Sequence, residues 1–159
     1  MDKRLMYDEL IRDLRLLVGG VDDNATGVLA NAAALIYERT GYFWVGFYMV
    51  EDGVLKLAPF QGPAACYRIG FGRGVCGTAW ERGCTLVVPD VEEFPGHIAC
   101  SSLSRSEIVV PLRGADGEVV GVLDIDSRES DAFDDTDREG LESVCVIVAE
   151  SLNRRPYRS

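Results

Sequence analysis

Five cysteines occur in this 159-residue chain without one C-x-x-C pair, and three of them, Cys66, Cys76 and Cys100, fall in the stretch that also carries the only histidine, His97. In a reducing compartment thiols are kept for catalytic turnover, redox sensing or metal binding. Metal binding fits the spacing poorly: between Cys66, Cys76, Cys84, His97 and Cys100 the intervals are ten, eight, thirteen and three positions, without the short chelating pairs of a structural zinc site. Gly74-Val75-Cys76-Gly77 sets Cys76 near an expected helix N-terminus, where the macrodipole favours thiolate. Cys66 and Cys100 lie in loop or strand-edge sequence from which they can approach each other. His97 reads as a loop hydrogen-bonder, with activation of a nearby thiol as its alternative use. Cys84 and Cys145 read as small buried hydrophobes, as most intracellular cysteines are.

A second chemical feature is Asp124-Ile125-Asp126. On a strand the two carboxylates share a face about 7 Å apart, at a rise of about 3.3 Å per residue. Such a pair can hold an ammonium group, or repulsion can keep one member protonated as an acid. The plain alternative is a strand running out into solvent. Gly70-Phe-Gly72-Arg-Gly74 superficially resembles a phosphate loop but lacks the crossover helix and parallel strand such a site requires.

These residues need elements to position them. Tyr7, Leu10, Ile11, Leu14, Leu17 and Val18 recur at helical spacing before Gly19-Gly20, predicting a helix over 3–18. A second helix starts at Asn24–Thr26, carries Val28, Leu29, Ala32, Ala33 and Ile36, and stops at Gly41. Tyr42–Val50 is aromatic and β-branched, and Asp52-Gly53 turns it into Val54–Pro59. Alternation puts Tyr42, Trp44, Gly46, Tyr48 and Val50 on one face, and the purely apolar Phe43, Val45, Phe47 and Met49 on the other. A short helical stretch at 78–81, a strand at 85–88 and a loop over 90–106 follow. A second hairpin joins 107–112 to 118–126 across Ala115-Asp116-Gly117, placing Val120, Val122, Asp124 and Asp126 together. The closing helix shows a capping box, Thr136-x-x-Glu139, and an apolar face of Leu141, Val144, Cys145, Val148 and Leu152. The pattern predicts one domain over 1–159, with a frayed tail at 154–159, and an antiparallel sheet covered by helices.

Composition limits the partners. The formal net charge of −10 with 16 Lys and Arg opposes a phosphate-backbone partner, which needs a concentrated positive field. No apolar run approaches the roughly 20 residues that span a bilayer, and the opening Met1-Asp2-Lys3-Arg4 does not read as an export signal. The expectation is a cytoplasmic protein binding neither nucleic acid nor membrane.

Six segments together resemble the free methionine-(R)-sulfoxide reductases, which are GAF-domain enzymes: Trp44–Tyr48, Gly62–Cys66, Gly72–Ala79, Gly96–Cys100, Ser106–Leu112 and Gly121–Ser127. The resemblance implies an α+β, GAF-like fold with a six-stranded antiparallel sheet flanked by helices. It implies a homodimer that reduces free L-methionine (R)-sulfoxide to L-methionine through a cysteine sulfenic acid and an intramolecular disulfide, with electrons from thioredoxin. A thiol cycle of this kind requires no metal or organic cofactor. By the same resemblance Cys100 attacks, Cys66 resolves and Cys76 joins the exchange. Trp44 and Tyr48 wall the substrate, and Glu107, Asp124 and Asp126 surround the sulfoxide oxygen and α-ammonium, with Glu107 or Asp126 as proton donor. The substrate carboxylate is expected to meet backbone N–H groups of 96–100. The rival class is a GAF sensor of small molecules or redox state without turnover.

Overall fold

Side-chain caps set where the helices begin. In the computed structural model, which describes residues 2–20 and 23–154, the Asp2 carboxylate accepts from Arg4 N at 2.9 Å and starts α1 (Lys3–Leu17). Asn24 accepts from Gly27 N at 2.8 Å and starts α2 (Ala25–Thr40), which ends at Gly41 in the left-handed region, φ 72°. β1 (Trp44–Glu51) and β2 (Val54–Gln61) form a hairpin through Asp52 and Gly53, with φ of 54° and 77°. Two consecutive left-handed residues make the turn whose twist matches paired strands. Next come β3 (Arg68–Ile69), α3 (Gly74–Arg82), β4 (Leu86–Val88), β5 (Ser106–Arg113), β6 (Val119–Ser127) and α4 (Asp135–Arg154). The strands form one six-stranded sheet ordered β3-β2-β1-β6-β5-β4, every neighbouring pair antiparallel.

Each sheet face carries its own core. Val45, Phe47 and Met49 of β1 pack with Leu123 and Ile125 of β6 under α1, α2 and α4. The opposite face holds Trp44, Tyr48, Val109 and Val122 against α3, with Val75, Cys76 and Ala79. Among the described residues no helix is long and apolar enough to cross a membrane.

Several expectations need correction. The alternation does not extend upstream of β1. Tyr42 joins the helix-covered core, its ring 4.7 Å from Phe133 and its hydroxyl donating to Asp137 at 2.7 Å, while Phe43 packs on the α3 side. Both precede the first ladder residue, so the pleat does not govern them. Val120 also packs on the helix side, because the ladder shifts register beside it, between Leu112 and Arg113. α3 begins at Gly74 instead of 78, the two-residue β3 is too short to show a period in the sequence, and Ser106 belongs to β5.

The α4 cap is Asp134, not Thr136. Asp134 Oδ1 accepts from Thr136 N at 3.0 Å and Asp137 N at 3.1 Å, while Asp137 Oδ2 accepts from Asp134 N at 2.9 Å. That reciprocal pair is a capping box two residues upstream of the one predicted. Fully buried Asp137 also accepts from Lys3 Nζ and Tyr7 Oη, both at 2.6 Å, tying α1 to the start of α4. Arg154 is the last residue of α4, and the rest of the predicted tail, 155–159, lies outside the described residues.

Candidate active site

Sheet register assembles the acidic cluster. Trp44 on β1 pairs with Asp126 on β6, Asp126 with Glu107 on β5, and Glu107 with Val88 on β4. One row across four strands therefore carries an indole and two carboxyls. The next row pairs Gly46 with Asp124 and Asp124 with Val109. Gly46 has a steric role, since a Cβ there would run into the Phe60 side chain and lie 2.5 Å from the Trp44 indole. Its missing side chain is the space into which the indole leans, stacked on Phe60 at 5.2 Å and near Tyr48 at 6.1 Å.

A cavity of about 40 Å³ opens over these rows, lined by Trp44, Tyr48, Cys76, Cys100, Glu107, Asp124 and Asp126, and also by Phe43, His97 and Ser104. Cys66 lies outside the lining and reaches the cavity edge through a disulfide to Cys100, with the Cα atoms 5.5 Å apart. The two β1 aromatics hold the loop that carries it. Trp44 Nε1 donates to Pro63 O and Tyr48 Oη to Cys66 O, each at 2.9 Å.

Phe43, Phe60 and Ser104 were missed in the sequence. Phe43 was assigned to the wrong face. Phe60 lies one residue beyond the predicted strand Val54–Pro59, and a register shift between Gly46 and Tyr48 brings it opposite Gly46. Ser104 sits in a loop with no periodicity to read.

The three carboxyls are driven toward neutrality to different degrees. Glu107 stands well above the carboxylate range because burial removes water, the charge of Asp124 opposes its ionisation, and Asp126 adds to that. Asp126 is raised well above it by burial and then by Asp124. Asp124 is raised by burial too, but hydrogen bonds from Glu107 and Cys76 stabilise its anion. Environments that push neighbouring acids apart assign them different roles: the hydrogen bonds favour the anion at Asp124, while burial and that charge hold Glu107 and Asp126 toward the neutral form. Asp124 is 6% exposed, and its Oδ1 has no hydrogen-bond partner among the described residues.

Burial overturns the helix-terminus argument for Cys76. The thiol lies in the first turn of α3 as expected, but desolvation and then the Asp124 and Glu107 charges push it well above the ordinary thiol value. A helix end offers about 1 kcal/mol, whereas burying a charge against like charges costs several. Cys76 is therefore a protonated donor to Asp124. His97 is held neutral by desolvation, with Nε2 3.8 Å from Glu107 Oε1. Cys145 is buried as expected, but Cys84 is exposed, just past the left-handed Gly83 cap of α3 where the chain turns on the surface. In the 96–100 loop the N–H groups of His97 and Cys100 already donate to Phe94 O and Ile98 O, so neither is free for a ligand carboxylate.

The GAF domain family model matches residues 24–152. A free methionine-R-sulfoxide reductase of Escherichia coli K12 is 45% identical over 159 residues, covering 99% of this chain and 95% of its own. The GAF domain-containing protein A of Dictyostelium discoideum is 52% identical over 147 residues, covering 92% of each chain. The crystal structure of free methionine-R-sulfoxide reductase from Neisseria meningitidis in complex with its substrate superposes with a TM-score of 0.92 at 50% identity, covering 97% of this chain and 93% of that one. At that identity and coverage, the chain belongs to the free methionine-R-sulfoxide reductase family of GAF-domain proteins.

Proposed function

We propose that this protein reduces free L-methionine (R)-sulfoxide to L-methionine by a thiol cycle recycled by thioredoxin. The observation that carries the reading is the Cys66–Cys100 disulfide at the edge of a cavity walled by Trp44 and floored by Glu107, Asp124 and Asp126. In the cycle the Cys100 thiolate attacks the sulfoxide sulfur. The S=O oxygen passes to the cysteine, leaving the thioether and a Cys100 sulfenic acid, so the substrate sulfur gains two electrons and the cysteine sulfur loses two. Cys66 then attacks the sulfenic sulfur, the S–O bond breaks, water leaves and the disulfide forms. A thioredoxin dithiol returns two electrons and two protons.

Glu107 and Asp126, neutral through burial, supply the proton that makes the oxygen a leaving group. The Asp124 anion takes the α-ammonium, a charge that a methionine inside a peptide lacks. Trp44 packs on the terminal methyl group. A buried protonated Cys76 fits disulfide exchange better than first attack. Cys100 Sγ is bonded to Cys66 in the disulfide form, so reduction has to free its thiol before it can attack the substrate.

The test mixes the protein with thioredoxin, thioredoxin reductase and each sulfoxide epimer while NADPH is followed. Turnover is expected with the free (R) epimer, and not with the (S) epimer or a peptide-bound sulfoxide. An absence of turnover with the (R) epimer refutes the reading and favours a sensor.

A further inference from the structure

The cavity brings one thiol and two carboxyls within ligating distance of a single point. Cys76 Sγ, a Glu107 oxygen and an Asp124 oxygen all lie within 4.8 Å of one another, and all three residues are buried. Asp124 lines the cavity, and its buried Oδ1 has no hydrogen-bond partner among the described residues, a separate sign of a missing partner. Magnesium and calcium want six or more oxygen ligands, whereas three protein donors including a soft thiolate suit zinc-class ions, with water in the fourth position. Zinc ligands at about 2.0–2.3 Å stand roughly 3.3–3.8 Å from one another, so the side chains need to close by at most about 1.5 Å. The free space of about 40 Å³ accommodates an ion and a water. The set differs from the cysteine and histidine spacing weighed in the sequence, because Glu107 and Asp124 come from strands and only the fold brings them to Cys76.

We propose that the disulfide form of this protein binds one zinc-class divalent cation through Cys76, Glu107 and Asp124. Binding displaces the Cys76 thiol proton and the Glu107 carboxyl proton into solvent, with no redox change. The −3 charge of the deprotonated set becomes −1. His97, 3.8 Å from Glu107, stands where it can hold that carboxylate in orientation. The inference rests on donor geometry, so it survives even if the protein turns over no sulfoxide.

Cobalt(II) is the probe, added without reductant to protein whose Cys66–Cys100 disulfide is intact, which removes those two sulfurs as ligands. One equivalent is expected to produce a near-ultraviolet thiolate-to-cobalt charge-transfer band and intense tetrahedral visible bands, both erased by one equivalent of Zn²⁺. Cys84→Ser should retain them and Cys76→Ser should lose them. Asp124→Asn should weaken cobalt binding at least tenfold; this arm decides the matter if Cys76→Ser does not fold. A wild-type protein without the band, a band that follows Cys84 instead of Cys76, or unchanged affinity in Asp124→Asn overturns the proposal.

Discussion

Asp124→Asn changes one atom at the centre of the site, and its effect follows from what surrounds that atom. Asp124 is 6% exposed, lines the cavity, accepts from Glu107 and Cys76, and has a buried Oδ1 with no hydrogen-bond partner among the described residues. If that oxygen pairs with the substrate ammonium, removing its charge leaves a buried cation unpaired, which costs about 2–5 kcal/mol. Taking about 3 kcal/mol, kcat/KM for the free amino-acid sulfoxide should fall roughly 150-fold. The loss should appear mainly in KM, because the ammonium is bound in ground and transition states alike. A second effect has a definite sign. The Asp124 charge helps to raise Glu107 and Asp126, so without it both acids ionise more readily. A proton donor works only while protonated, and the alkaline fall of kcat should therefore move to lower pH. The assay is thioredoxin-coupled turnover across pH, with circular dichroism as a check on folding. An Asn variant within about threefold of wild type in kcat/KM, with an unshifted alkaline limb, would refute the assignment of Asp124 as the ammonium partner.

Further outcomes follow from other parts of the molecule. Cys100→Ser should form no methionine in a single turnover without reductant, whereas Cys66→Ser should form one per site and then stall; quantifying methionine by mass spectrometry decides it. Glu107→Gln should raise thermal stability, because a folded carboxyl held above its unfolded value binds protons the unfolded chain has lost. Stability contributed by that site falls as pH rises from the ordinary Glu range toward the raised value, and the amide removes this slope. A gain of about 0.5–2 kcal/mol at pH 7, read as a Tm increase of roughly 2–6 °C, should accompany lost activity. Gly46→Ala should displace the Trp44 indole, costing about 1–3 kcal/mol by overpacking and visible as a Trp emission shift with reduced kcat/KM. Asp137→Ala removes the acceptor of Lys3, Tyr7, Tyr42 and the Asp134 amide and should cost about 3–5 kcal/mol in urea titrations without moving the carboxyl cluster.

What the chain revealed in advance depended on how local the determinant was. Gly41, Asp52-Gly53 and the alternation of Trp44–Met49 are fixed within a few residues, and the structure follows them. The alternation fails at Tyr42 and Phe43 because it needs a ladder partner, and pairing between β1 and β6 begins at Trp44. That Trp44 stands in one row with Asp126 and Glu107 depends on the β1–β6 register, which joins residues more than 80 positions apart, and no local pattern carries it, whereas Asp126 and Glu107 face each other within the β5–β6 hairpin. The Cys76 expectation weighed a helix dipole without the Asp124 and Glu107 that the sheet sets beside the thiol. Cys84 misled for a simpler reason: a cysteine beside an apolar strand looks buried until the turn that exposes it is known. The capping box was read two residues late because Asp134-x-x-Asp137 and Thr136-x-x-Glu139 overlap, and only the contacts of Lys3 and two tyrosines with Asp137 choose between them.

The charge states of the cluster match the proton demand of the proposed reaction. Reducing one sulfoxide with two thiols releases one water, so the oxygen has to leave with two protons. Burial keeps Glu107 and Asp126 protonated, and hydrogen bonds from Glu107 and Cys76 hold the single negative charge on Asp124. One anion faces one ammonium, and two neutral acids face one departing oxygen. With all three ionised, a dry cavity would confront like charges, with Glu107 and Asp124 oxygens within 4.8 Å of each other, where the repulsion is at least about 3.5 kcal/mol at an effective dielectric near 20. With all three neutral, nothing would compensate the ammonium. The fold arrives at the intermediate state by putting two acids on β6 and one on β5 beneath α3, where the absence of water, more than any partner cation, decides which protons stay.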